Sequence, residues 1–207
     1  MVSAYEVFMG FSRYYNSLRI TFEESIATHT GRIISYMDNL GRMLGYRIFS
    51  EVTFSHLFRW VYKECPPELS RKKPDMCWGH LTEQGLEYEL VLESEQTMDD
   101  KKIEKDIEKL LPFPSKLKIL YCVHTDLKAV IDSVVNVVKK GREFTGELLL
   151  IVDPWVSRKT FSTGTLSGIL MNSSLKITHY GEVKIEEFSD GPFKIRLFKN
   201  AKWSAYK

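Results

Sequence analysis

LKILYCVHTDLKAVIDSVVNVVKKGREFTGELLLIV, residues 117–152, decides the fold. Its two ends, 117–123 and 148–152, are unbroken apolar runs, the pattern of strands covered on both faces. Between them Leu127, Val130, Ile131, Val134 and Val138 recur at three- and four-residue steps. That run ends on Lys139, Lys140 and Gly141, a basic last turn followed by the residue that best tolerates a helix stop. Strand, helix, strand is a crossover unit, and its two strands must pair in parallel. The predicted class is an α/β sandwich.

Working outward, Asp99 or Asp100 opens a second helix carrying Ile103, Ile107, Leu110 and Leu111, and Pro112 and Pro114 stop it. Before it come a short strand over 74–78, a turn near 79–85 and a strand over 88–95. The proline-bearing polar stretch 63–73 (KECPPELSRKK) reads as a loop. A strand is expected over 47–54. Upstream, Phe22, Ile26, Ile33, Met37, Leu40 and Leu44 form a helical stripe that stops near Gly45, with Thr21 and Glu24 as a capping box. Ser3 and Glu6 form another box, followed by Tyr5, Phe8, Phe11, Tyr15 and Leu18 at helical spacing. After residue 157 the signals are Ser, Thr and Gly turns with short alternating strands, as at 183–185 and 193–198. The division expected is an α/β core over 1–156 and a β-rich extension or appendage over 157–207.

The chain has 207 residues, 43% of them hydrophobic and 27% charged, enough for a core and too apolar for global disorder. A formal charge of +2 permits nucleic acid without requiring it. Apolar runs are too short to span a bilayer. MVSAYEVFMGFSRYYNSLR lacks the pattern of a signal peptide. Cys65, Cys77 and Cys122 match no zinc spacing, so a reducing, cytoplasmic setting is expected.

The chemistry concentrates in 73–97, KPDMCWGHLTEQGLEYELVLESEQT. Period-two alternation sets Tyr88, Leu90 and Leu92 on one face and Val91, Glu93 and Glu95 on the other. Asp75 stands 18 positions before Glu93, and antiparallel pairing would bring it alongside. Magnesium takes oxygen from one or two carboxylates and keeps several waters, so such a set suits it. The plainer reading is a strand leaving the core for water.

Pro74-Asp75 followed by an apolar strand ending Glu93-Ser94-Glu95 resembles the PD-(D/E)xK nuclease superfamily, the restriction-endonuclease-like proteins. The order helix, three strands, helix, strand over roughly residues 20–155 is similar to that family's core. The resemblance implies a restriction-endonuclease-like mixed sheet flanked by helices, with Asp75 and Glu93 as ligands of Mg²⁺ (or Mn²⁺). The implied catalytic set is Asp75, Glu93 and Glu95, where Glu95 replaces the family's lysine. Glu24, or Glu23, matches an acid that many members aim at the metal, although Glu24 also completes the box with Thr21. Gln96 would hold a scissile phosphate. The expected function is metal-dependent endonucleolytic hydrolysis of DNA.

Arg71, Lys72 and Lys73 would line the approach for phosphate. Lys194, Arg196, Lys199 and Lys202, interleaved with Phe193, Phe198 and Trp203, suit backbone contact with stacking, or simply form an amphipathic strand. DNA is the expected partner and a homodimer is allowed. His80, in the turn, could reach the site; His29 lies on the apolar stripe. Two rival readings remain open: an inactive nuclease fold serving as a nucleic-acid-binding or assembly subunit, and an α/β ligand sensor centred on Asp153.

Overall fold

Two aspartates start the helices of the crossover region. The Asp99 carboxylate accepts from the backbone N–H of Lys101, and that of Asp126 from Lys128 and Ala129. Each satisfies donors that a first helical turn leaves open. The computed structural model describes residues 2–16, 26–50, 74–83, 85–141, 143–154, 164–190 and 193–206. Its helices are α1 (Ala4–Asn16), α2 (Ile26–Met43), α3 (Asp100–Leu110) and α4 (Leu127–Lys139). Its strands are β1 (Arg47–Ser50), β2 (Met76–Thr82), β3 (Gly85–Glu95), β4 (Leu117–Val123), β5 (Glu147–Asp153), β6 (Gly164–Asn172), β7 (Ile177–Asp190) and β8 (Phe193–Ala205). The box at Ser3 and Glu6 forms, with the Ser3 N–H donating to the Glu6 carboxylate over 2.8 Å. The box at Thr21 and Glu24 lies outside the described residues.

The eight strands among the described residues join one mixed sheet whose spatial order is the chain order. β3, β4 and β5 are parallel, as the crossover requires, and every other neighbouring pair is antiparallel. β6, β7 and β8 continue this sheet beyond β5. Both faces of the parallel strands are covered. Leu92, Ile119, Tyr121, Leu149 and Ile151 pack with Phe8, Phe11, Ile33 and Met37 of α1 and α2. Val91, Leu120, Cys122, Leu148 and Leu150 pack with Ile103 and Ile107 of α3 and Val130 and Val134 of α4. Each helix supplies one apolar stripe, and the sheet supplies both receiving faces. Cys77 and Cys122 are buried thiols. No helix among the described residues is long and apolar enough to cross a membrane.

Three local expectations need correction. Gly79 is not in a turn but inside β2, which runs on to Thr82 before β3 begins at Gly85. Trp78 faces Leu90 while Gly79 faces Tyr88, so Glu89 is an extra residue on β3, a bulge. The bulge inverts the alternation before it: Tyr88 packs with Phe113 on the α3 side, whereas Leu90 and Leu92 point to α1 and α2. Finally, β7 and β8 are far longer than the short strands expected. One face of this hairpin carries Val183, Ile185 and Phe198 to the core, and the other carries charge.

The edge of the sheet where β4 and β5 begin is fastened by Lys118. Its side chain is fully buried, and its ammonium donates to the carbonyls of Ser115 (3.0 Å) and Thr145 (2.6 Å). Gly146, at φ 77°, lets the loop pass so close that an added Cβ would sit 2.7 Å from the Ser115 carbonyl. Burial pulls the Lys118 pKa down to about 8. The unfolded chain therefore holds this proton more tightly than the folded one, and stability rises as pH climbs from about 8 towards the ordinary lysine value. Against Lys118→Met, the wild type should gain roughly 2–3 kcal/mol across that window. Urea denaturation at pH 7.5 and 10.5 measures it, and parallel pH profiles for the two proteins would refute it.

α1 is seated by one ring. Gly168 and Gly181 face each other across β6 and β7. A Cβ on either would come within 2.6 Å of the Phe8 ring. The missing side chains make a hollow that Phe8 fills, and Trp203 of β8 closes it at 5.4 Å between ring centroids.

Candidate active site

β2 and β3 pair so that Met76 faces Leu92, both towards α1 and α2. One step further out, Asp75 comes opposite Glu93, and directly opposed residues share a face. The face is the one that α3 covers. Asp75 Oδ2 accepts from the backbone N–H of Ser94 over 2.7 Å, which fixes the acid against the end of β3.

Glu93 is 1% exposed. Its Oε2 accepts from the Lys109 ammonium at 2.8 Å, and its Oε1 is buried with no hydrogen-bond partner among the described residues. Burial first, then the neighbouring Asp75 charge, pushes the Glu93 carboxyl up to about 9, against the lowering pull of Lys109. Burial works against the Lys109 charge, but hydrogen bonds to Asp106 and Glu93 outweigh it and hold the ammonium above its usual range. Lys109 also lies 2.8 Å from Asp106 Oδ1, one turn back on α3. Asp106 is raised by burial, with Lys109 opposing and the Glu95 carboxylate, hydrogen-bonded to it, reinforcing. Glu95 Oε1 accepts from the Thr97 N–H at 2.7 Å. Lys109 thus bridges Glu93 and Asp106, with Asp75 acting on Glu93 and Glu95 on Asp106. Among the described residues the acids of this cluster outnumber its bases.

A hard divalent cation fits this chemistry. Glu93 Oε1 is a buried acceptor in want of a positive partner, and Asp75 is the second carboxylate. Among the described residues no group of three or more acids, histidines or cysteines converges as a complete cage. Water and substrate oxygens would complete the shell, as is common for magnesium.

The other expected residues are distributed unevenly. Glu24, Arg71, Lys72 and Lys73 lie outside the described residues. Gln96 is at the site, with its Nε2 donating to Ser94 Oγ at 3.0 Å and its Oε1 buried and unpartnered. Lys194 and Arg196 lie on β8 opposite Ser189 and Glu187. Lys199 pairs with Glu186 (2.5 Å) and Lys202 with Glu182 (3.4 Å), so register supplies the acids that the local sequence of β8 lacks. β8 is also five strands from β3, roughly 24 Å across the sheet. The structure does not bring these two lysines to the acids.

His80 lies on β2, about 16 Å along the strand from Asp75, with its ring 4.4 Å from that of Tyr46. It does not reach the site. Asp153 is fully buried and accepts from the Tyr121 hydroxyl at 2.9 Å, on the α1 and α2 side of the sheet.

Asp106 and Lys109 were not among the expected residues. A signal existed: α3 must cover the β3 face that carries Glu93, and these two residues border its buried stripe of Ile103, Ile107 and Leu110. Fold and site together define a three-layer α/β protein with a buried carboxylate–lysine cluster at the edge where its parallel strands end. No family model, curated protein or solved structure matches the chain.

Proposed function

We propose that the chain is a metal-dependent endonuclease-like protein with a PD-(D/E)xK, restriction-endonuclease-like core, hydrolysing phosphodiester bonds in DNA. One observation carries this reading: Asp75, locked to the Ser94 N–H, lies beside the buried Glu93. The order α2, β1, β2, β3, α3, β4 among the described residues supports this reading, since a helix, three strands, a helix and a strand are what such a core needs. Asp75 and Glu93 would hold Mg²⁺, or Mn²⁺ in its place, whose chemistry is to lower the pKa of bound water and to stabilise charge on the phosphate.

The chain's own residues do the rest. Lys109 brings an ammonium to Glu93 from α3. Glu95 is held by the Thr97 N–H and its charge pushes Asp106 towards protonation, while Asp106 pairs with Lys109. The Gln96 Nε2 spends one N–H on Ser94 Oγ and keeps a second for a phosphate.

The test is incubation of purified protein with duplex, single-stranded and branched DNA in Mg²⁺ or Mn²⁺, with chelator controls. Metal-dependent cleavage is the expected result. DNA bound but never cut would favour the second reading, a nuclease-fold binding or assembly subunit, for which Glu95 in the lysine position is the supporting observation. Neither binding nor cleavage would end both.

A further inference from the structure

We infer that Lys109 is the site's own counter-cation: its ammonium occupies Glu93 when no metal is bound, and withdraws onto Asp106 when a divalent cation arrives. The inference rests on the metal-site reading of Asp75 and Glu93. It concerns what the protein does with those acids in the cation's absence.

Three observations carry it. The Glu93 side chain is 2% exposed, and a buried carboxylate without a positive partner is strongly destabilising. The partner it has is unusual for so buried a group, because the Lys109 side chain is 40% exposed. Its long stem can swing towards water without disturbing Ile103, Ile107 or Leu110. Asp106 then offers a second berth on the same helix, 2.8 Å from the same ammonium. Lys109 can therefore let go of Glu93 and remain paired.

Glu93 Oε1, the oxygen that Lys109 does not cover, is the buried acceptor without a partner among the described residues. A cation drawn to it meets the lysine charge at close range, and like charges at such distances repel strongly in a low-dielectric setting. Lys109 should thus weaken metal binding while keeping the metal-free site folded. A lysine serving only to pin α3 onto β3 would do the second and not the first.

The experiment is calorimetric titration of the DNA-free protein with Mn²⁺, paired with melting curves in chelator. Lys109→Gln should bind Mn²⁺ about 10-fold or more tightly than wild type. It should also melt several degrees lower in chelator and recover with metal. Asp106→Asn takes away the second berth and an acid together, so it should bind Mn²⁺ several-fold more weakly than wild type. It reads the same competition from the other side and remains informative should Lys109→Gln not fold. Lys109→Gln binding Mn²⁺ no better than wild type, or Asp106→Asn binding it more tightly, would overturn the counter-cation role and leave the metal site standing. Absence of Mn²⁺ binding in every protein, wild type included, would remove both.

Discussion

Asp75→Asn is expected to abolish metal-dependent cleavage while leaving the fold intact. Asparagine is nearly isosteric with aspartate and keeps a side-chain oxygen for the Ser94 N–H, so the junction between β2 and β3 survives. It loses the charge, and with it one of the two carboxylates assigned to the cation among the described residues. Loss of outer-shell partners of a metal already costs about 10–100-fold. Loss of a direct ligand should exceed that, so a fall of roughly 1,000-fold or more is expected. Removing the Asp75 charge also relieves Glu93, which it pushes towards protonation, so the melting temperature should hold or rise slightly. Single-turnover cleavage and a melting curve on the same preparation decide the matter. Activity within 10-fold of wild type would sink the metal-site reading, and an unfolded variant would show that the acid is structural instead.

The second large effect is on stability. Phe8→Ala should destabilise the protein by about 3–5 kcal/mol, because a fully buried ring is removed and the hollow beneath it cannot collapse. The hollow's floor is the paired backbones of Gly168 and Gly181, which have no side chains to close over it. In a chain of this size that corresponds to a fall of roughly 6–20 °C in Tm. Gly181→Val attacks the same seat from below, since its new methyls would collide with the Phe8 and Trp203 rings. The two changes together should cost less than their sum, as neighbouring substitutions do. The acids lie on the other face of the sheet, so Mn²⁺ binding per folded molecule should be unaltered. A loss below 1 kcal/mol for Phe8→Ala would contradict this view of α1.

The middle of the fold was legible because its signals are local and agree with one another. Asp99 caps α3, Lys139 ends α4, and β4 and β5 are apolar on both faces, so period, cap and composition point the same way. The face of Tyr88 was misjudged because a bulge is a property of pairing. Glu89 becomes the extra residue only when Gly79 and Trp78 meet β3. The lengths of β7 and β8 escaped notice for a similar reason. Their apolar residues are interleaved with charges that find partners only across the ladder, such as Glu186 with Lys199. The neighbourhood of Asp75 and Glu93 could be read because one short hairpin makes it. Lys109 and Asp106 could not, because they enter it by the packing of a helix across a strand. Lys199 and Lys202 looked unopposed along the chain, while the acids opposing them stand on the neighbouring strand.

The sheet's strand order has a consequence for how the molecule is made. Because the strands lie side by side in the order of their synthesis, each one emerging from the ribosome finds its neighbour already in place. Assembly can proceed outward from one edge with few long waits, the circumstance that favours quick folding. α1 is the exception. It is made before any strand, yet its seat is built from Gly168, Gly181 and Trp203, which belong to the last three strands. Phe8 must therefore wait for its seat through most of translation, whereas Phe11 meets Tyr36 and Tyr121 earlier. The element that appears before every strand is the one locked home after them all, and a single aromatic ring is the bolt.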